Sequence, residues 1–174
     1  MKYLITYDDA KKICNYYNNF NFSEHLWRIN NYKISAFDYF ICGYNHFANP
    51  LPNEPNITAF DMRGVTFVFN EDGTIFNRYL MLPKFFNINQ IEETQYDKIK
   101  DKNIAHISSK EDGSLVAFMM LPNGKLFAKT IRGFDNDQVV SAQQLLFAWE
   151  DHTKWVKKQL ENGFTPLFEY VSYT

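Results

Sequence analysis

Short runs of β-branched and aromatic residues alternate along the chain with residues that favour turns. The run Tyr32–Cys42 is dense in β-formers and partly alternates between apolar and polar positions, which predicts a strand. The apolar run Val65–Phe69 is followed by Asn70-Glu71-Asp72-Gly73 and then by Thr74–Leu80. An Asp-Gly pair between two β-rich runs is typical of a hairpin, so we predict a hairpin here.

The same pattern recurs in the C-terminal half of the chain. Val116–Leu121 and Lys125–Ile131 flank the turn sequence Pro122-Asn123-Gly124, which predicts a second hairpin. Phe164–Val171 predicts a last strand. The chain is therefore expected to fold as an α+β protein with an antiparallel-rich sheet assembly and helical cover on its outer face.

Apolar residues spaced three and four apart predict two helices. Asp8 can cap a short helix that ends near Tyr17. A much longer pattern, which Asp135 or Asn136 can cap, runs from Asp135 to Asn162 and is interrupted only at Thr153. It predicts one continuous helix packed on the sheet.

Three segments lack a clear period. The Asn-rich segment Asn15–Asn31 is predicted to be a loop or an irregular connection, and the proline-rich stretch Asn49–Asn56 a surface loop. The charged stretch Glu92–Lys102 is predicted to be a solvated helix or loop.

Composition places the chain among folded globular proteins. At 174 residues and 20.6 kDa it fits a single domain over residues 1–174. Hydrophobic residues make up 45% of the chain and aromatic residues 18%, a composition that excludes a disordered protein. The net charge of −2 gives no global footprint for a polyanion, so a nucleic-acid site would need a local cluster of Lys and Arg.

The cysteines and the N-terminal residues bear on the compartment. Cys14 and Cys42 form neither a disulfide framework nor a metal-ligand spacing, which is typical of reduced thiols. No apolar run approaches the roughly 18 residues that span a bilayer, and Asp8-Asp9 follows the start too soon for a signal peptide. We therefore expect a cytoplasmic protein.

One stretch carries candidate covalent chemistry. Lys110-Glu111-Asp112-Gly113 has the form Lys-x-Asp-Gly and precedes the predicted strand Val116–Leu121. A lysine amine is a nucleophile only after it loses its proton, so a catalytic lysine needs burial or neighbouring cations that lower its pKa. A Gly directly after the Asp lets a ligand approach the backbone closely. The alternative is an ordinary exposed turn charge.

Four segments in order give this box its context, and together they resemble one family. The segments are Arg63-Gly64, Lys84-Phe85-Phe86-Asn87, Lys110-Glu111-Asp112-Gly113-Ser114 and Phe168-Glu169-Tyr170-Val171-Ser172. Their order and their residues resemble those of the ATP-dependent RNA ligases of bacteriophages, within the covalent nucleotidyltransferase superfamily. The resemblance covers roughly Tyr32 to Ser172.

The resemblance implies a fold, an activity and a setting. The fold would be the N-terminal part of an antiparallel-rich nucleotidyltransferase, or ATP-grasp-like ligase, domain. Lys110 would attack the α-phosphate of ATP to form a lysyl–AMP phosphoramidate. AMP would pass to the 5′-phosphate of an RNA, which is then joined to a 3′-hydroxyl. If the chain is phage-encoded, its setting would be RNA repair in the host cytoplasm.

The resemblance also assigns nucleotide contacts. Arg63 would contact the ribose or the phosphates, Lys84 the β- and γ-phosphates, and Phe86 the face of the adenine. Glu111 and Gly113 would complete the nucleotide site beside the nucleophile. Without the resemblance, Arg63 reads equally as a surface residue, Lys84 as a loop charge and Phe86 as a core aromatic.

Charge near the phosphates completes the expected set. Transfer of AMP builds negative charge on the phosphates, which calls for Mg²⁺ and basic side chains. Mg²⁺ takes one or two carboxylates plus phosphate oxygens and water, so Glu169, with Asp112, would suffice. Glu169 would otherwise contact the ribose. Lys129 and Arg132 follow the second turn, and either could face the triphosphate or the RNA backbone.

The family pattern continues beyond the last segment of this sequence. In the family, an Asn-Arg-Ile-Val-like segment, a Glu-Gly block and a strand with paired lysines follow, and a Pro usually stands at the position of Tyr173. The expected fold is therefore truncated after the Phe168–Ser172 strand. Three readings stay open: a truncated piece, half of a split enzyme completed by a second polypeptide or by self-association, and a repurposed nucleotide- or RNA-binding module. A structural protein without nucleotide chemistry is a further alternative.

Overall fold

The computed structural model describes residues 4–171, so the predictions on Ser172 and Tyr173 lie outside the described residues. Helices and short strands follow one another along this part of the chain. In order they are α1 Tyr7–Tyr16, β1 Phe22–Ile29, β2 Tyr32–Tyr39, α2 Tyr44–Ala48, β3 Thr66–Phe69, β4 Ile75–Tyr79, a 3₁₀ turn Glu92–Thr94, α3 Tyr96–Ile99, β5 Ser114–Met120, β6 Leu126–Lys129, α4 Asp137–Phe147, α5 Glu150–Glu161 and β7 Leu167–Tyr170.

The strands form two antiparallel sheets, which confirms the α+β class. The first sheet has the order β1-β2-β3-β4, and the second has the order β6-β5-β7. Both predicted hairpins are present, with Val68 opposite Asn77 in one and Phe118 opposite Ala128 in the other. In the second sheet the last strand pairs with β5, where Leu115 lies opposite Glu169.

The two central strands of the first sheet, β2 and β3, are buried on both faces, since helices and the second sheet cover them from opposite sides. Alternate residues of a strand point to opposite faces. On β2, Ile34 and Ala36 belong to a core shared with the second sheet, α4 and α5. Phe37, which follows Ala36 and points to the opposite face, belongs to a second core with α1 and α2. This double burial explains why the apolar runs alternate only partly.

The predicted continuous helix from Asp135 to Asn162 is wrong, because the chain forms two helices there. α4 is capped by Asn136, and Trp149 takes an extended conformation, with φ −126° and ψ 111°, before α5 begins. Thr153, the one gap in the apolar spacing, donates its hydroxyl to the Leu146 carbonyl oxygen at 3.2 Å. The break turns the chain so that the apolar stripes of both helices reach the same core.

Two N-terminal predictions also need correction. The segment Asn15–Asn31 was expected to be irregular, but it contains the eight-residue strand β1. Its register with β2 is set from Phe22 opposite Tyr39 to Ile29 opposite Tyr32, so pairing overrides the weak local pattern. Thr6, and not Asp8, caps α1, because its hydroxyl accepts the Asp9 backbone N–H.

Side-chain hydrogen bonds join the two sheets at several points. The hydroxyl of Tyr79 in the first sheet donates to the Met120 carbonyl oxygen in the second at 2.9 Å.

Both cysteines are free thiols. Among residues 4–171, none of the helices has the length and apolarity that crossing a bilayer requires.

Candidate functional site

The Lys-x-Asp-Gly box lies at the start of β5, where a long exposed segment enters the second sheet. Residues 101–113 are all exposed, and Lys110 lies in this segment. Gly113 is closely packed against β7, since a Cβ at this position would lie 2.4 Å from the Tyr170 carbonyl oxygen. The glycine is therefore required for the box to meet the sheet edge, independently of any ligand.

A cavity of about 500 Å³ opens where the ends of both sheets meet the start of α4. It brings Arg63 together with Gly113 and Ser114, although about fifty residues separate them in the sequence. The remaining lining residues are Tyr39, Leu115, Thr130, Ile131, Arg132, Asn136 and Gln138. Its two guanidinium groups make this cavity a candidate anion site.

Arg63 carries an unusual buried donor. Its Nη1 is buried and has no hydrogen-bond partner among the described residues. The guanidinium carbon lies 5.1 Å from the centre of the Phe85 ring, a cation–π contact. A buried N–H without an acceptor is costly, so this group fits a role in which a ligand supplies the acceptor.

Lys84 and Phe86 lie beside this cavity and do not line it. Phe86 is partly buried against the second core, with its ring 5.6 Å from that of Tyr44 and 6.1 Å from that of Phe47. The Lys84 ammonium lies over this cluster, 5.0 Å from the Phe86 ring and 5.7 Å from the Tyr39 ring. Tyr39 thus connects the aromatic cluster to the cavity wall.

Lys129 is fully buried, in contrast to Lys110. Its Nζ donates to the carbonyl oxygens of Gly64 at 3.2 Å and Ile131 at 3.0 Å. It also lies 3.6 Å from the Met81 sulfur. Burial lowers the pKa of this amine to about 7. The negative charge of Asp38 raises the same pKa by a smaller amount. Its hydrogen bonds go to backbone oxygens, and Lys129 is not among the residues that line the cavity.

The two carboxylates expected near a metal flank Gly113. Asp112 lines a smaller cavity of about 220 Å³ together with Gly113, Ser114 and Tyr170. Glu169 is exposed, and its Cγ would lie 3.1 Å from a Cβ on Gly113. Residues 4–171 hold no group of three or more His, Cys, Asp and Glu side chains placed to bind a metal. A pair of carboxylates still fits Mg²⁺, which relies on phosphate oxygens and water.

Asp38, which is hydrogen-bonded to the cavity residue Arg132, was not identified from the sequence. Asp38 is buried on β2, and its carboxylate accepts from Arg132 Nε at 2.6 Å and lies 3.0 Å from His25 Nε2. The signal was available, because Asp38 is the one acidic residue within the apolar run Tyr32–Cys42. A buried carboxylate in such a strand indicates a partner across the fold.

Comparison with known proteins adds to this geometry. A family model described as RNA ligase matches residues 61–174, which is most of the chain. A protein named "Putative RNA ligase" from Thermovibrio ammonificans is 30% identical over 112 residues. That match covers 64% of this chain and 28% of the relative, so the chain spans well under half of the relative's length. The matched region contains the cavity residues Arg63 and Arg132 and the Lys110 box. Because the family model matches most of the chain, the chain belongs to the RNA ligase family.

Proposed function

We propose that the chain is the N-terminal part of the adenylation domain of an ATP-dependent RNA ligase, with Lys110 as its nucleophile. Family membership supports RNA joining in general terms. The observation that carries the finer assignment is the single cavity shared by Arg63 and by the Gly113-Ser114 end of the box. A phosphate there would give the Arg63 Nη1 the acceptor that it lacks.

The proposed reaction begins at the Lys110 amine. The uncharged Nζ attacks the α-phosphorus of ATP, a P–N bond forms, the P–O bond to pyrophosphate breaks, and the amine proton passes to solvent. An oxygen of the RNA 5′-phosphate then attacks the same phosphorus and frees the lysine. Finally the RNA 3′-hydroxyl attacks the 5′-phosphorus, and AMP leaves.

The basic residues of the cavity supply charge stabilisation for these steps. Arg63 would bind phosphate oxygens at the cavity wall, and Lys84 would act from the adjoining aromatic cluster. Mg²⁺, when bound by Glu169 and Asp112, would neutralise charge on the phosphates. Phe86, Glu111 and Gly113 are proposed to contact the nucleotide, and Phe86 would do so from the edge of its cluster.

Lys110 needs a change of surroundings for this chemistry. It lies in an exposed segment, whereas a nucleophilic lysine needs desolvation or neighbouring cations. We propose that the segment moves toward the cavity when ATP binds, because Lys110 does not line the cavity and its amine must come within bonding distance of the α-phosphorus.

A second candidate function is a nucleotide- or RNA-binding module that is completed by another polypeptide or by a second copy of this chain. It is favoured by the apolar surface on α4, α5 and β7, where Leu145, Trp149 and Trp155 are each more than half exposed. Monomeric proteins rarely expose such a patch without a partner. In this case the added piece would supply further charge stabilisation for the phosphates.

The deciding experiment is the intact mass of the purified protein after incubation with ATP and Mg²⁺. Addition of one AMP to the wild type, and none to Lys110→Ala, is the expected result. An unmodified wild type that binds ATP would favour the completed module. AMP addition that survives Lys110→Ala would refute the assigned nucleophile.

A further inference from the structure

Arg132 lies at the wall of the same cavity as Arg63, on the connection between β6 and α4. Its side chain is 61% exposed, although its Nε is hydrogen-bonded to Asp38. Its Nη2 donates to the Tyr39 carbonyl oxygen at 3.2 Å, and its guanidinium carbon lies 5.9 Å from the Phe40 ring. One edge of the guanidinium is thus held by the first sheet, while Nη1 remains available to a ligand.

The Asp38 carboxylate, which accepts the hydrogen bond from Arg132, is buried and contacts two basic side chains. The Asp38 side chain is 6% exposed and lies on the first sheet, whereas Arg132 follows the last residue of β6 in the second. The second carboxylate oxygen of Asp38 lies 3.0 Å from His25 Nε2. Asp38 also attracts the buried Lys129 ammonium electrostatically. A charge-assisted bond from a buried carboxylate fixes both position and plane of a guanidinium.

The backbone that presents Arg132 is also fixed. The Thr130 N–H donates to the Gly133 carbonyl oxygen at 2.9 Å, and the Gly133 N–H donates back to the Thr130 hydroxyl oxygen at 3.2 Å. Asn136, the N-cap residue of α4, donates its side-chain amide to the same hydroxyl at 2.9 Å. This turn therefore holds Arg132 on a rigid support at the helix start.

Lys129 cannot serve as the cation of this wall. Its amine is fully buried and already donates to the backbone carbonyl oxygens of Gly64 and Ile131. Arg132, three residues further along, has an exposed side chain and lines the cavity. The two basic residues of this segment thus have different surroundings and different access to a ligand.

We propose that Arg132 binds a phosphate group of the substrate in this cavity, and that Asp38 is its positioning residue. The ligand chemistry is a phosphate ester or anhydride, supplied either by the nucleotide or by an RNA 5′ end. The identity of that source rests on the proposed function, whereas the anion site itself does not.

The test measures equilibrium binding in a Lys110→Ala background, in which no covalent transfer at Lys110 occurs. The probes are ATP, a 5′-phosphorylated oligoribonucleotide, the same oligoribonucleotide with a 5′-hydroxyl, and inorganic tripolyphosphate. Arg132→Gln should raise the Kd of phosphate-bearing probes about tenfold or more. Arg28→Gln is the matched control, because Arg28 is also exposed and also bonds a backbone carbonyl, yet lies outside the cavity.

The probes separate the two sources. A loss for ATP and tripolyphosphate assigns Arg132 to the nucleotide phosphates. A loss confined to the 5′-phosphorylated RNA, relative to its 5′-hydroxyl form, assigns it to the RNA end. Equal binding by Arg132→Gln and the control for every probe would overturn the proposal.

Asp38→Asn tests the positioning role. The substitution should raise the Kd if Asp38 positions Arg132, and lower the Kd if Asp38 competes with the ligand for Arg132. Loss of orientation should raise the Kd of the phosphate probe about threefold to tenfold, even though a negative charge has been removed. If Asp38 only competes with the ligand for Arg132, its removal should lower the Kd, which would overturn the positioning role. His25→Gln leaves the Arg132–Asp38 bond in place and should change the Kd less than twofold.

A further variant covers the case in which Asp38→Asn fails to fold. Arg132→Lys keeps the charge but cannot bond Asp38 and the ligand through opposite edges of one plane. Its Kd for phosphate probes should lie within about threefold of the Kd of Arg132→Gln. A Kd equal to that of the protein with Arg132 intact would show that charge alone suffices.

Failure of this proposal is distinguishable from failure of the proposed function. Arg132-dependent tripolyphosphate binding in a protein that never gains AMP would support the anion site and count against the ligase chemistry. AMP addition by a protein whose phosphate binding does not depend on Arg132 would support the ligase chemistry and count against the anion site. A protein that binds none of the probes would overturn both.

Discussion

The amine of Lys129 lies 3.2 Å from the carbonyl oxygen of Gly64, so a buried lysine of the second sheet is hydrogen-bonded to the segment that leads into the first. Gly64 follows Arg63 directly, and Gly64 takes φ +89°, where a Cβ would lie 2.6 Å from the Met81 sulfur. Lys129 thereby fixes the backbone from which Arg63 enters the cavity. Its contribution is structural, and it is transmitted to the proposed ligand site through one residue.

The first prediction concerns the pH dependence of stability. The folded protein releases the Lys129 proton near pH 7, whereas the unfolded chain keeps it up to the ordinary lysine pKa of 10.5. The unfolded state therefore binds more protons in this interval, and the unfolding free energy should rise with pH from about 7, with a slope approaching about 1.4 kcal/mol per pH unit. Urea titrations between pH 7 and about 8.5 measure it.

Lys129→Met is the control for that slope. Met has a similar unbranched shape and no titrating group, so the difference between the two proteins isolates the amine. The upper limit of the interval avoids Cys14, whose pKa burial raises from 9.0 to about 12 and whose effect on stability has the opposite sign. A slope that is the same in Lys129→Met would contradict the assignment.

The second prediction concerns Arg63, whose buried Nη1 lacks an acceptor. An unpaired buried donor costs about 1–3 kcal/mol, and the cation–π contact with Phe85 returns about 0.5–1 kcal/mol. Arg63→Met should therefore stabilise the ligand-free protein by about 1 kcal/mol while weakening ATP binding. Arg78→Met is the matched control, since the Arg78 Nη1 donates to the Ile5 carbonyl oxygen at 2.8 Å and its removal should destabilise the protein. Destabilisation by both variants would contradict this account.

The third prediction concerns Gly113. Its Cβ in Gly113→Ala would lie 2.4 Å from the Tyr170 carbonyl oxygen, and backbone cannot move aside as a flexible side chain can. We expect a loss of about 1–3 kcal/mol in unfolding free energy and faster hydrogen exchange in β7. Gly43→Ala should be nearly neutral, because its Cβ would meet its nearest neighbour, the His46 ring, at 3.7 Å. Comparable losses in both variants would refute the steric explanation.

The fourth prediction separates reactivity from stability at Lys110. Because Lys110 is exposed, Lys110→Ala should change the unfolding free energy by less than about 0.5 kcal/mol. The same variant should lose all AMP addition in the mass measurement. A thermal melt of the ligand-free variant checks the first part, and a large shift there would show that loss of AMP could come from unfolding alone.

The sequence predicts the local hairpins well, because their signals are contained in a few residues. Asp72-Gly73 and Asn123-Gly124 supply the turns, and apolar runs on both sides supply the strands. The break between α4 and α5 was visible only as the single polar gap at Thr153. A mean apolar period cannot distinguish one long helix from two that share a core.

The sequence proposes residues for the candidate site but does not indicate their surroundings. The family-like segments identified Arg63 and the Lys110 box, and the structure places Arg63 and Gly113 at one cavity. The sequence could not distinguish buried Lys129 from exposed Arg132, because both stand beside polar and apolar residues alike. Burial and the partnership with Asp38 depend on pairing between sheets, which no local pattern encodes.

The division of the apolar interior into two cores has a consequence for synthesis on the ribosome. The buried residues of the core beneath α1 all lie between Ile5 and Phe69, whereas the other core recruits residues as late as Leu160. The N-terminal core can therefore condense on the nascent chain, leaving Ile34, Ala36 and Val68 uncovered until the C-terminal half emerges. The half that carries Lys110 would then be added last, and until it emerges an apolar face of the first sheet would be exposed to solvent.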